Sequence, residues 1–151
     1  MTSILFICHG NICRSPMAES IFTHLVRAAG VATDFTISSA AISQEEIGNS
    51  PYPDAVKQLA IQGIALVPHR AVQLRAADYK QYDLLLGMDQ QNLRGILRII
   101  GHDPSKKVHR LLDGCTRPRD IADPWYSGDF ETAYRNILEG CTNLLARLSG
   151  K

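Results

Sequence analysis

Residues 3–30 read SILFICHGNICRSPMAESIFTHLVRAAG, and this stretch sets the architecture. Residues 3–7 are a short, nearly all-apolar run, the composition of a strand buried on both faces of a parallel sheet. A polar loop follows. From about residue 15 to 29, Met17, Ile21, Phe22, Leu25 and Val26 recur at helical spacing. Ser15 can cap this helix, Pro16 suits its first position, and Gly30 stops it. A buried strand that runs through a loop into a helix is the opening of an α/β fold.

The rest of the chain continues the alternation. DFTISSA (34–40) reads as a second strand and PDAVKQLAIQG (53–63) as a helix with Val56, Leu59 and Ala60 inward. DLLLGM (83–88) is a third buried strand, and DQQNLRGILRIIG (89–101) a helix begun by Asp89 and closed by Gly101. KVHRLL (107–112) is a fourth strand. CTRPRDIADPWYSGD (115–129) is a polar connection too long for a plain turn. A last helix, about 128–148, carries Phe130, Ala133, Ile137, Cys141, Leu144, Leu145 and Leu148 on one face. Strands alternating with helices predict an α/β domain with a parallel sheet. Ligands of such sheets bind beyond the carboxyl ends of the strands, where the loop after the first strand lies.

Composition narrows the function classes. The 151 residues suit one domain, 1–151, with 45% hydrophobic and 21% charged residues, the balance of a globular protein. A net charge of +1 gives no footprint for nucleic acid. No apolar run approaches the roughly 18 to 20 residues of a membrane span. The start, MTSILFICHG, lacks the basic segment and cleavage site of a signal peptide, so a cytoplasmic protein is expected. The four cysteines, Cys8, Cys13, Cys115 and Cys141, are too few and too scattered for a disulfide scaffold.

The loop between strand and helix carries the chemistry. If residues His9, Gly10, Asn11, Ile12, Cys13, Arg14 and Ser15 wrap with their N–H groups inward, they form a concavity for an oxyanion. The helix N-terminus adds partial positive charge. Gly10 keeps a side chain out of the way, and Asn11 tolerates left-handed backbone angles. Arg14 brings a planar fork suited to two phosphate oxygens. Cys8 adds a nucleophile: a helix N-terminus and a nearby arginine can lower a thiol's pKa from about 8.5 to roughly 3.5–7.5. Ser15 can donate its hydroxyl to the sulfur and stabilise it as a leaving group. The plainer alternative makes Cys8 a packed strand-end residue. A metal alternative would use Cys8, His9 and Cys13, but a structural zinc needs four ligands and no second close pair appears. No metal and no cofactor are expected.

CHGNICRS (8–15) together with DPWY (123–126) resembles the low-molecular-weight protein tyrosine phosphatases, over essentially the whole chain. SSAA (38–41), EIGN (46–49), HRAVQ (69–73), GMDQQNL (87–93) and DFETAY (129–134) support the likeness. The resemblance implies a four-stranded parallel sheet with helices on both faces and a phosphate-binding loop after the first strand. It implies Cys8 as nucleophile, Arg14 as phosphate clamp, Asp123 as general acid, and Asn11, Ser15, Ser39 and His69 as supports of the loop. The expected reaction is hydrolysis of phosphotyrosine in proteins through a cysteinyl-phosphate, with phosphate or other oxyanions as further ligands. Chemistry supports an acid at Asp123, because a tyrosine hydroxyl has a pKa near 10 and leaves poorly unless protonated.

Further expectations concern the rim. The related arginine phosphatases carry Thr where this chain has Ile12, so Ile12 favours phosphotyrosine. Trp125 and Tyr126 are expected to wall the pocket and stack on an aryl ring. Glu45, where many relatives have an aromatic nearby, gives an acidic border that disfavours acidic phosphopeptides. In relatives with a Cys at position 13, oxidation joins it to the nucleophile, which makes Cys8 and Cys13 a candidate redox pair. Two rival functions stand beside this. A thioredoxin-coupled arsenate reductase needs two further cysteines near residues 80–90, and KQYDLLLGMDQ has none. A non-catalytic phosphate-binding module would not need Cys8 and Asp123. The oligomeric state is expected to be monomer or weak homodimer.

Overall fold

The computed structural model describes residues 1–149. Four strands form one all-parallel sheet: β1 (Thr2–Cys8), β2 (Phe35–Ala41), β3 (Leu84–Gly87) and β4 (Val108–Arg110). Their order is β2-β1-β3-β4. In register, Cys8 lies opposite Ala41 on β2, and Ile7 lies opposite Gly87 on β3. The helices are α1 (Arg14–Ala28), α2 (Pro53–Ile61), α3 (Asp78–Gln81), α4 (Gln90–Ile100), α5 (Pro124–Ser127) and α6 (Phe130–Leu148).

Both faces of the sheet are covered, which is why β1 is apolar throughout. On one face Ile4 and Phe6 pack with Met17, Ile21, Phe22 and Val26 of α1 and with Ile137, Cys141 and Leu144 of α6. Phe22 meets Phe6 and Phe35 edge-on at 5.9 and 5.3 Å between ring centres, the favourable arrangement for aromatic pairs. On the other face Leu5, Ile7, Leu85 and Ile96 of α4 form a second cluster. α4 lies close because residue 95 is glycine: a Cβ there would fall 2.5 Å from Ile42. Among the described residues no helix is long and apolar enough to cross a membrane.

Topology places the site. From β1 the chain goes to β2 on one side, and later to β3 and β4 on the other. The reversal opens a crevice at the carboxyl end of β1, beside β3. Cys8 ends β1, and Asp89 follows β3 by two residues.

Several local expectations change. Ser15 does not cap α1. It lies inside the helix, whose N-cap is Cys13 with no side-chain cap bond, because the Ser15 hydroxyl is engaged elsewhere. Ala60 of α2 is exposed, and Ala55 with Leu59 faces the core instead. The fourth strand stops at Arg110, where Leu111–Gly114 turns into a 3-10 helix. The connection before α6 is not wholly irregular, since α5 forms within it behind the N-cap Asp123.

Candidate active site

The loop from Cys8 to Ser15 is held by Asn11. Its backbone adopts φ 59°, the left-handed region that Asn tolerates better than most residues. Its side chain is fully buried and makes four contacts. Asn11 Nδ2 donates to Ser15 Oγ (2.8 Å) and Ser39 Oγ (3.1 Å). Asn11 Oδ1 accepts from the Val72 N–H (3.1 Å) and lies 2.6 Å from His69 Nε2. The Val72 donor fixes which amide atom is oxygen, so the proton on His69 sits at Nε2. Behind this layer Ser39 donates to Glu19 Oε1 at 2.6 Å. Burial raises the Glu19 pKa, an effect the Ser39 hydroxyl partly offsets, and burial lowers that of His69. The loop therefore rests on a buried hydrogen-bonded network of Asn11, Ser39, His69 and Glu19.

The Cys8 sulfur meets two donors. Ser15 Oγ lies at 3.0 Å and the Ser15 N–H at 3.4 Å. Ser15 Oγ already accepts from Asn11 Nδ2, which leaves its own proton for the sulfur. Among the described residues no protein acceptor takes the N–H groups of residues 10–13. Gly10 is tight against the neighbouring loop, as a Cβ there would sit 3.3 Å from Glu46 Cγ.

Arg14 is a buried cation, 2% exposed, at the start of α1. Its Nη1 donates to Asp89 Oδ2 at 2.7 Å and to the Ile121 carbonyl at 2.6 Å, while Nη2 lies 3.4 Å from Asp123 Oδ2. Burial disfavours its charge, but Cys8, then Asp89 and Asp123, outweigh that and raise its pKa above the usual value. Asp123 turns its other oxygen to the Trp125 N–H at 3.0 Å, capping α5. Cys13 is buried, and burial, reinforced first by Cys8, pushes its pKa up to about 12.

Cys8, His9, Gly10, Ile12, Cys13, Arg14, Glu45, Glu46, Asp123, Trp125 and Tyr126 line one recess. It includes all four residues expected in a substrate pocket: Ile12, Glu45, Trp125 and Tyr126. Trp125 is half-exposed and held edge-on by Tyr52, with ring centres 4.8 Å apart; Tyr126 is 84% exposed. Glu45 Oε2 lies 3.2 Å from His9 Nε2, a contact that becomes an ion pair only when the imidazole is protonated. Among the described residues no group of three or more His, Cys, Asp or Glu converges to hold a metal ion.

Three contributors to the site stand outside the residues that the sequence predicts for it. Asp89 was legible only as a helix cap, which it is, accepting the Asn92 N–H at 2.7 Å; its second oxygen on Arg14 was not legible. Glu19 carries a usable signal, because it falls four residues after Ser15 on the face of α1 that also buries Phe22 and Val26. Tyr52, which holds Trp125, lies in an irregular segment with no periodicity to reveal it.

The comparisons with known proteins agree with one another. The family model for low molecular weight phosphotyrosine protein phosphatase matches residues 3–151. The chain is 36% identical to the low molecular weight protein-tyrosine-phosphatase YfkJ of Bacillus subtilis over 150 residues, covering 98% of this chain and 96% of that protein. The crystal structure of YfkJ superposes with a TM-score of 0.95, covering 99% of this chain and 95% of that one. The human low molecular weight phosphotyrosine protein phosphatase is also 36% identical, covering 96% of this chain and 94% of its own. A Drosophila arginine phosphatase of known structure is 30% identical with a TM-score of 0.90, covering 100% of this chain and 99% of that one. A parallel sheet that ends in a Cys-x5-Arg-Ser loop, matched along nearly its whole length by these relatives, makes this chain a member of the low molecular weight phosphotyrosine protein phosphatase family of hydrolases.

Proposed function

We propose that the chain hydrolyses phosphotyrosine in proteins by a two-step transfer through Cys8. The Cys8 thiolate attacks phosphorus in line, and the phosphoryl oxygens rest on the loop N–H groups and the Arg14 guanidinium. The P–O bond to tyrosine breaks, and Asp123 delivers its proton to the departing phenolate oxygen. In the second step Asp123, now a carboxylate, takes a proton from water as the water attacks the cysteinyl-phosphate. Cys8 leaves as thiolate, with Ser15 Oγ, 3.0 Å away, donating to it. Phosphate is released and both groups return to their starting states.

The observation that carries this reading is the convergence of Cys8, Arg14 and Asp123 on one recess. Arg14 ties the acid to the loop, with Nη2 3.4 Å from Asp123 Oδ2. A proton delivered by a positioned carboxylic acid is typically worth a factor of ~10² to 10⁴. Ile12 at the pocket wall and the aromatic pair Trp125 and Tyr126 favour an aryl phosphate over the phosphoguanidinium on which the Drosophila relative's name is based. The test is chemical trapping. Acid quenching during turnover of p-nitrophenyl phosphate should yield enzyme carrying one phosphoryl group on the Cys8 peptide, and none in Cys8→Ser. Turnover with phosphate on another residue, or on none, would overturn the mechanism.

A further inference from the structure

The catalytic recess is not the end of the cleft. A second groove of about 370 Å³ adjoins it, and His9, Arg14, Asp123 and Tyr126 line both. The two spaces differ in charge. The catalytic recess carries Glu45 and Glu46, which the groove lacks; the groove carries Arg98 of α4, with Gln91 and Ile42.

The other charges of the groove are already matched. Asp89 gives one oxygen to Arg14 and the other to the Asn92 N–H. Asp123 gives one to Arg14 and one to the Trp125 N–H. On the far side His9 faces Glu45, and Glu46 accepts from Asn49 Nδ2. Arg98 is exposed and has no ion-pair or hydrogen-bond partner among the described residues. The groove therefore opens beside the phosphate site with one uncommitted cation on its wall.

We propose that this groove is a subsite for the residue flanking phosphotyrosine in the substrate chain, and that Arg98 selects an acidic side chain there. The inference rests on the phosphatase reading above and adds a polarity to it. With phosphotyrosine in the recess, the peptide runs on past His9 and Tyr126, which line both spaces. Successive Cα atoms lie about 3.8 Å apart, so the next residue on that side falls in the groove. A carboxylate there meets Arg98, while the opposite flank meets Glu45 and Glu46. The acidic border thus disfavours acidic residues on one flank only. An exposed pair of this kind is worth a factor of about 2 to 5, and it weakens as salt shortens the screening length.

The experiment compares phosphotyrosyl peptides with Asp, Ala or Lys immediately before or after the phosphotyrosine. kcat/KM is measured for wild type, Arg98→Lys and Arg98→Glu, each divided by the same enzyme's value on p-nitrophenyl phosphate. The expected result is an Asp-over-Lys preference of about 2- to 5-fold on one flank at low salt. Arg98→Lys keeps that preference and Arg98→Glu reverses it. An order that Arg98→Glu leaves unchanged, or equal rates for all peptides, overturns the subsite while the phosphatase reading stands. No turnover of p-nitrophenyl phosphate by folded wild type overturns both.

Discussion

Asn11 is the side chain on which the loop's shape depends, and replacing it separates two physical effects. Asn11→Ala removes contacts to Ser15, Ser39, His69 and the Val72 N–H, all in a buried setting. At a net value of about 1 kcal/mol per hydrogen bond, that amounts to roughly 4 kcal/mol. Alanine must also adopt φ 59°, which costs about 1 kcal/mol more, a strain that glycine does not incur. Asn11→Ala should therefore lose about 5 kcal/mol and Asn11→Gly about 4. With a urea m-value of about 2 kcal/mol/M, the unfolding midpoints fall by roughly 2.5 and 2 M. Under conditions where both variants are folded, kcat on p-nitrophenyl phosphate should drop on the order of 10- to 100-fold in each, because the N–H groups lose their fixed directions. Midpoints within about 0.5 M of wild type would refute the claim that this network holds the loop. Asn11→Gly less stable than Asn11→Ala would refute the strain argument alone.

Asp89→Ser keeps an oxygen to cap α4 but removes the charged partner of buried Arg14. Breaking such a pair costs about 3 to 5 kcal/mol, at the low end here because Asp123 remains nearby, and urea unfolding of Asp89→Ser measures it. Cys13, with its pKa pushed up to about 12, is a thiol at neutral pH, so after peroxide treatment a Cys8–Cys13 disulfide should form faster as pH rises. Mass analysis of wild type at several pH values checks this, with Cys13→Ala as the form that proceeds to irreversible oxidation. For Asp103, burial opposes the charge, but the Tyr79 hydroxyl and the N–H groups of Lys107 and Val108 outweigh it and hold the carboxyl below its usual value. Its contribution is therefore complete above the unfolded pKa near 3.9 and fades as pH falls through the lower folded value. The stability gap between wild type and Asp103→Asn should be flat above pH about 4.5 and shrink below it; a gap that widens in acid would contradict the assignment.

What the sequence disclosed follows from which forces are local. Strand β1 and helix α1 were legible because an apolar run and a 3.6-residue stripe each report a neighbour without naming it. The left-handed Asn11 was legible for the same reason, as backbone preference belongs to the residue itself. Interactions that join distant segments left no such trace. Asp89 reads as a cap because capping is local, whereas its bond to Arg14 spans 75 positions. Ser15 shows the reverse error. Its residue type suggests a cap, but its hydroxyl is engaged by both the amide of Asn11 and the sulfur of Cys8, and the helix starts one residue earlier. The polarity of the cleft was visible only in part, because Glu45 was legible as acidic while its neighbour His9 and the Arg98 of the adjoining groove required the fold.

The central claim is that Cys8 and Asp123 carry out the chemistry. It is tested most directly by hydrolysis of p-nitrophenyl phosphate, with chelator present, by wild type, Cys8→Ser and Asp123→Ala. The account predicts turnover in wild type, none in Cys8→Ser, and a rate lowered by about 10² to 10⁴ in Asp123→Ala. Wild-type turnover that survives in Cys8→Ser, or no turnover by reduced and folded wild type, would contradict it.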